Sequence, residues 1–326
     1  MKSLNPSTNI QAYFLNGRSA LGFAIKQFDL DQSNIILVPN IICSDVVQVF
    51  ETLDICIIYY PVSYNFCIDW SKLLDLIQSH KPVAILAVNY FDQSTELTKI
   101  KNICDKFNLI MIEDNCHGLE IGSAQYKSSQ IGDIMISSPR KILKTPYGGY
   151  LSIKSPSLIY HDFPIQIRQR VLVPKISLLL KYLILKYSPY LTRELRKRKQ
   201  ILKYQDKLKA NLFFYNHGQL DIFSYFALKF CSKNKVIEIR KKNWQLWEKY
   251  LSNWGAVPIF RDIKYRSCPW AFPFVLPKRQ STKLLELTKN RGIPIFHWPD
   301  IVPHSSPKDH KKIYCIDLLH EPDWYL

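Results

Sequence analysis

The sequence predicts an α/β fold, a mostly parallel sheet sandwiched by helices, and three observations carry that expectation. Short apolar runs alternate with segments of helical period through the first half of the chain. The runs Ile35-Ile36-Leu37-Val38, Val83-Ala84-Ile85-Leu86-Ala87-Val88 and Leu109-Ile110-Met111-Ile112 are unbroken rather than alternating, as in parallel strands covered on both faces. Polar or turn-forming residues follow directly: Pro39, Asn89-Tyr90 and Glu113-Asp114 stand at the carboxyl ends of those strands, where ligands gather in such sheets.

Each element follows in order. Residues 17–28 read as a helix with Leu21, Phe23, Ala24 and Phe28 as its apolar positions. Residues 35–38 are a strand stopped by Pro39, and 44–52 a helix with Ser44 as N-cap. Residues 55–60 read as a strand, 70–79 as a helix, 83–88 as a strand, 95–107 as a helix and 109–112 as a strand. At 326 residues the chain accommodates a large domain and a smaller one.

Composition narrows the class. An apolar share of 47% with 22% charged residues belongs to an ordinary globular protein. Only 10 glycines are present and none forms a glycine-rich phosphate loop. The 8 cysteines show no CxxC pair and no zinc spacing, so they read as thiols in a reducing compartment. The first residues lack an apolar stretch of signal length, and no run of about 18 apolar residues follows. The chain therefore reads as cytoplasmic.

The net charge of +17 is uneven. Arg193, Arg196-Lys197-Arg198-Lys199, Lys203, Lys207 and Lys209 follow an apolar segment at 176–185 flanked by Lys175 and Lys186. Such a segment reads first as a solvated helix face, and alternatively as a peripheral contact with an anionic membrane or with phosphorylated ligands. No module that reads nucleic acid accompanies the charge, so nucleic acid is not an expected partner.

The chemistry-bearing stretch is Ser137-Ser138-Pro139-Arg140-Lys141, followed by Gly148-Gly149. A lysine behind a proline turn, a buried-looking aspartate at a strand end and a glycine pair opening the next strand suit a pyridoxal phosphate enzyme. The lysine forms a Schiff base and the aspartate keeps the pyridine nitrogen protonated. Residues 17–19 open a helix, whose free N–H groups and dipole suit a phosphate.

These motifs, in this order, resemble the DegT/DnrJ/EryC1/StrS family of sugar aminotransferases, within the fold-type I pyridoxal phosphate superfamily. The resemblance runs from about Asn16 to the C-terminus. It rests on Asn16-Gly17-Arg18-Ser19-Ala20-Leu21, Val38-Pro39, Val88-Asn89-Tyr90-Phe91, Ile112-Glu113-Asp114-Asn115-Cys116-His117, Gly132-Asp133, Pro139-Arg140-Lys141 and Gly148-Gly149. Further on, Asn243-Trp244 after Arg240, Pro273-Phe274 and Arg291-Gly292-Ile293 are similar to the family's smaller domain.

The resemblance implies a large cofactor-binding domain over 1–215, carrying the basic helical segment at about 165–209, and a smaller α+β domain over 216–326. That second domain is expected to be shortened, because the chain stops at Leu326 soon after Leu318-Leu319-His320-Glu321-Pro322. Lys141 becomes the Schiff-base lysine and proton shuttle, Asp114 the partner of the pyridine nitrogen, and His117 the contact to the cofactor's phenolic oxygen. Gly17, Arg18, Ser19 and Ser137 become the phosphate site, with Arg18 in place of the family threonine. Ser137 lies one residue from the family serine, whose position holds Ile136. Cys43 stands where the ring stacking on the cofactor is usual, and Asp92 where the family has glycine. Asn216 is the nearest candidate for the asparagine that reaches the neighbouring subunit's phosphate. The implied enzyme is a homodimer with shared active sites, moving an amino group from an amino acid, glutamate by expectation, to a nucleotide-linked keto-sugar. In the family such products enter polysaccharide, lipopolysaccharide or amino-sugar biosynthesis. Three alternatives stay open: a sugar dehydratase-like reaction, against which Lys141 argues because family dehydratases carry histidine there; a non-catalytic relative; and a basic membrane-surface binder.

Overall fold

The computed structural model describes residues 10–26, 32–93, 96–120, 130–154, 170–172, 219–264, 267–290, 293, 295–299 and 313–318. The expected domain boundary at 215/216, the basic segment at 175–209 and Asn216 lie outside them.

Seven strands form the larger sheet: β1 (Ile10–Phe14), β2 (Ile35–Pro39), β3 (Cys56–Tyr60), β4 (Ala84–Val88), β5 (Ile110–Asn115), β6 (Ile134–Ser137) and β7 (Gly149–Ile153), in the order β1-β7-β6-β5-β4-β2-β3. Pairings from β3 through β6 are parallel; β7 runs antiparallel to both β6 and β1. The unbroken apolar runs have the expected consequence: every residue of β4 is buried, and so are Ile36, Leu37 and Val38 of β2. Flanking helices are α1 (Gly17–Lys26), α2 (Ser44–Thr52), α3 (Trp70–His80) and α4 (Leu97–Phe107). The side chain of Asp69 caps α3 by accepting the Lys72 N–H at 3.1 Å, and Asn108 ends α4 in the left-handed region. One boundary differs from the sequence reading. The N-cap of α2 is Cys43, with extended backbone and no side-chain cap bond, and Ser44 is the first helical residue.

The four-residue helix α5 (Arg140–Leu143) joins β6 to β7. A small parallel pair, β8 (Arg170–Leu172) and β9 (Gln219–Asp221), leads to α6 (Ile222–Phe230) and the long α7 (Lys233–Ser252). The second sheet contains β10 (Val257–Pro258), β11 (Ala271–Val275), β12 (Ile295–His297) and β13 (Tyr314–Asp317), in the order β10-β11-β13-β12 and all antiparallel; α8 (Lys278–Asn290) lies between β11 and β12. Trp244, Trp247 and Leu251 form one stripe of α7 and pack on Phe272, Phe274, Tyr314 and Ile316 of that sheet. No helix among the described residues is long and apolar enough to cross a membrane.

The two sheets meet through polar contacts at the end of β4. Asp92 accepts the Cys268 N–H at 2.7 Å, the Gln93 amide donates to Ser267 at 2.7 Å, and the Lys264 N–H donates to Gln93 at 3.0 Å. Asp92 and Phe91 both have positive φ, 59° and 51°. That backbone explains why a glycine suits position 92; aspartate tolerates the left-handed region better than most residues do.

Candidate active site

The carboxyl ends of β4, β5 and β6 and the start of α1 build one site. Asn16 caps α1: its Oδ1 accepts the Ser19 N–H at 3.0 Å and the Ser19 hydroxyl at 3.3 Å, and its carbonyl accepts the Ala20 N–H at 3.2 Å. The N–H groups of Gly17 and Arg18 have no partner within the helix, as at any helix start. Two close approaches fix this turn. A Cβ on Gly17 would meet Cys116 Sγ at 2.8 Å and lie 3.7 Å from Ser138 Cβ, so α1 begins directly against the ends of β5 and β6. A Cβ on Gly149 would overlap the Asn16 carbonyl, while the Gly148 N–H donates to Leu15 at 2.9 Å.

Asp114 is buried near the end of β5, between Val88 of β4 and Ile136 of β6 in register. Its Oδ1 accepts the Cys116 N–H at 2.9 Å. Burial, and then the Asp114 carboxylate beside it, push the Cys116 thiol well above its ordinary value. Neighbouring Glu113 turns the other way and accepts the N–H groups of Ile131 and Gly132 at 2.7 and 2.9 Å, closing the turn into β6. Burial still leaves its pKa raised.

His117 is buried within an aromatic cluster. Its ring lies 4.6 Å from that of Trp298, 5.0 Å from Phe91 and 5.3 Å from Trp270. The Phe91 N–H donates to Nδ1 at 3.3 Å, which assigns the proton of the neutral ring to Nε2. Burial, and then the Lys141 charge, hold its pKa well below the ordinary histidine value, so the ring is neutral.

Lys141 is half-buried in α5, and its Nζ lies 5.2 Å from the centroid of the Trp270 ring, a cation–π contact. The Lys141 and Ile142 N–H groups bond back to Ser138 and Pro139, so the helix is one turn started by the proline. Lys144, the sequence rival, is the left-handed C-cap of that turn and pairs with Asp317 of β13. Asp114, His117 and Lys141 thus come together around one site, whereas Lys144 is turned toward Asp317.

Other expected residues fall differently. Arg18 Nη1 pairs with Asp45 Oδ1 at 3.0 Å, linking α1 to α2 with both side chains about one-third exposed, so part of its fork is already engaged. The Ser137 hydroxyl donates to the Glu120 carbonyl at 3.0 Å, a bond that commits its proton away from a phosphate. Ser138 lies beside the α1 start, its Cβ 3.7 Å from where a Cβ on Gly17 would stand. Cys43 packs against the main core at the start of α2 and brings no ring. Sequence reasoning missed Trp270 and Trp298, and gave Arg240 no part in the site. Only Arg240 left a signal, as a charged residue on the apolar stripe that continues through Trp244, Trp247 and Leu251. Asn16 also left one, the N-cap spacing Asn16 to Ser19.

With this geometry in place, residues 12–163 match the model of the DegT/DnrJ/EryC1/StrS aminotransferase family. Those residues belong to that family. The match makes pyridoxal phosphate-dependent amino transfer the chemistry of the chain, with an amino-acid donor and a sugar acceptor as its partners. Solved structures of the same fold include Helicobacter pylori PseC, an aminotransferase of pseudoaminic acid biosynthesis (16% identity, 96% of this chain, 83% of that one, TM-score 0.61). The PMP form of the putative sugar aminotransferase Spr1654 from Streptococcus pneumoniae is similar at 13% identity, with 94% and 81% coverage and a TM-score of 0.62. So is the GDP-4-keto-6-deoxy-D-mannose-3-dehydratase of E. coli with bound hydrated PLP, at 12% identity, 95% and 82% coverage and a TM-score of 0.58. No curated protein sequence matches the chain. These neighbours give the α/β architecture of the fold-type I enzymes. The residues present fit the family's cofactor. Asn16 and Gly17 leave a helix start against β6, Asp114 offers a buried carboxylate, and Trp270 Nε1 is a buried donor with no hydrogen-bond partner among the described residues.

Proposed function

We propose that this aminotransferase moves an amino group from glutamate to a keto-sugar carried on a nucleotide diphosphate. The observation that supports the reading most is the convergence of Lys141, Asp114 and His117 with the open N-terminus of α1 at one strand edge. Pyridoxal phosphate, when bound, supplies the electron sink that lets an amino group leave one carbon and join another. Asp114 would hold the proton on the pyridine nitrogen; its buried place makes an uncompensated carboxylate costly and a cationic partner favourable. His117, whose Nδ1 accepts the Phe91 N–H and leaves the proton on Nε2, would donate to the cofactor's phenolic oxygen. The N–H groups of Gly17 and Arg18 would bind the phosphate, supported by Ser19 and by the free side of the Arg18 guanidinium, while the Ser137 hydroxyl stays bonded to the Glu120 carbonyl. Lys141 would hold the cofactor and, once the donor amine has displaced it, its freed amine would move a proton between the substrate carbon and the cofactor. Cys43 leaves one cofactor face without the usual ring.

The +17 charge suits a diphosphate-linked acceptor. The reading includes a homodimer in which Asn216 of one protomer completes the phosphate site of its partner, in a cytoplasmic enzyme of surface-polysaccharide or lipopolysaccharide synthesis. The domains are 1–215 and 216–326. Lys141 favours amino transfer over dehydration.

The test uses purified protein. Added pyridoxal phosphate is expected to give a visible absorption band in the wild type that is absent in Lys141→Ala. Glutamate with a panel of nucleotide-linked keto-sugars is then expected to release 2-oxoglutarate. Absence of the band in the wild type would sink the assignment. Vesicle flotation that survives Lys141→Ala and fails without the 193–199 charges would instead favour a membrane-surface role.

A further inference from the structure

Arg240 is 1% exposed, an unusual place for a guanidinium. Its Nη2 donates to the Ile142 carbonyl at 2.8 Å, and its Nη1 donates to the carbonyls of Pro269 and Trp270 at 2.9 and 3.0 Å. Asp317 lies 4.0 Å away and also holds Lys144. One arginine of α7 therefore joins three things: the residue after Lys141, the backbone carrying Trp270, and the carboxylate anchoring the far end of α5. The Trp270 ring in turn stands beside both Lys141 Nζ and the His117 ring, and the Trp270 backbone N–H donates to the His117 carbonyl at 3.1 Å.

A helix of one turn has too few internal hydrogen bonds to hold its own orientation. The direction in which Lys141 projects must come from what grips the turn from outside. The Ile142 carbonyl and the Lys144 side chain are those grips, and both lead to the Arg240–Asp317 pair. A lysine or an amide at 240 cannot reach three carbonyls in two directions, whereas a planar guanidinium does.

We propose that Arg240 is a positioning residue, clamping the Lys141 turn to the Trp270 backbone and so fixing the lysine amine relative to Trp270 and His117. The proposal rests on the reading of Lys141 as the reactive lysine, yet it is testable without the cofactor. In protein free of pyridoxal phosphate, lysines are labelled with acetic anhydride and the rates read by mass spectrometry. Lys101 of α4, ion-paired to Asp105 on the same helix and to Asp133 before β6, serves as the internal standard because general loosening would free it too. In Arg240→Met the Lys141 to Lys101 ratio is expected to rise several-fold, and Arg240→Lys, which keeps the charge but reaches fewer carbonyls, to fall between that and the wild type. With cofactor and substrates, kcat is expected to fall about 100-fold, the scale of an ångström of misplacement, with little change in KM. Arg240→Lys covers the case in which Arg240→Met does not fold. An unchanged ratio in the folded variants, or a rise shared equally by Lys101, would overturn the proposal. A wild type that takes up no pyridoxal phosphate removes the functional reading, while the labelling ratio still decides the role of Arg240.

Discussion

Asp114, His117 and Lys141 lie between residues 114 and 141, on the ends of adjacent strands of the larger sheet and the turn after them. Trp270, Trp298, Arg240 and Asp317 come from four separate places around the second sheet. The first group holds the ionisable chemistry; the second holds aromatic surface and the hydrogen bonds that fix it. The difference teaches where precision comes from in this molecule. Strands buried on both faces place Asp114 rigidly, since Val88 and Ile136 flank it in register. The short α5 has no such support, and the second sheet provides it. Substitutions in the first group are therefore expected to abolish chemistry while sparing the fold, and substitutions in the second to cost stability, with chemistry lost as well where, as at Arg240, the grip on the Lys141 turn is broken.

The sharpest break of that comparison is Asp114→Asn. The amide keeps an acceptor for the Cys116 N–H but loses the charge. Transamination is expected to fall by about 10²–10⁴-fold, with the denaturation free energy changed by no more than about 1 kcal/mol. Steady-state kinetics and urea unfolding on the same preparation check both halves. A large loss of stability would show that the carboxylate serves the fold instead.

Trp298→Ala probes the opposite region. The ring is 7% exposed and touches Phe66, Tyr90, Phe91 and His117. Its removal opens a cavity where the two sheets meet and is expected to cost about 3–5 kcal/mol of stability. Full stability with lost cofactor uptake would move Trp298 into the first group.

His117 belongs to both regions, and pH separates its roles. Its native pKa lies well below the ordinary value because burial, and then Lys141, disfavour the charged ring. The unfolded ring binds a proton near pH 6.5 while the native ring does not, so the unfolded state gains protons first as pH falls. Stability present above about pH 6.5 is lost below it, at up to about 1.4 kcal/mol per pH unit. Urea unfolding of wild type and His117→Gln at pH 7, 6 and 5, at about the slope just given, is expected to show a shallower decline in the variant. Parallel declines would mean that the native ring titrates freely.

Much of the larger sheet was legible because its signals are local. An unbroken run such as Ile35 to Val38 has few uses other than a buried strand, and Lys141 was separated from Lys144 by counting from Pro139 and Gly148. The second sheet's part in the site was not legible. Nothing in the spacing of Arg240 and Ile142, 98 residues apart, announces a hydrogen bond between them. The ring positions of Trp270 and Trp298 depend likewise on how β11 and the segment after β12 fold onto the end of β4. Hydroxyl direction was equally out of reach: Ser137 and Ser138 are adjacent, and strand alternation sends Ser137 to Glu120.

The smallest expected effect concerns Arg18 and Asp45, a pair within the larger sheet's own helices. With both side chains about one-third exposed, the ion pair is worth at most about 1 kcal/mol after solvent screening, so Asp45→Asn is expected to leave unfolding almost unchanged. Its value lies in what it does to cofactor affinity. If Arg18 grips the phosphate, Asp45 both competes for the guanidinium and aims it, and the two effects have opposite signs. Removing the competitor frees a cation within reach of the α1 start, where the helix dipole already favours an anion. Tighter binding of pyridoxal phosphate by Asp45→Asn, lost again in Asp45→Asn/Arg18→Gln, is the expected result of an equilibrium titration. Weaker binding would show that aiming outweighs competition. No change in either variant would leave the phosphate to the backbone N–H groups, and would make Arg18 a tie between α1 and α2.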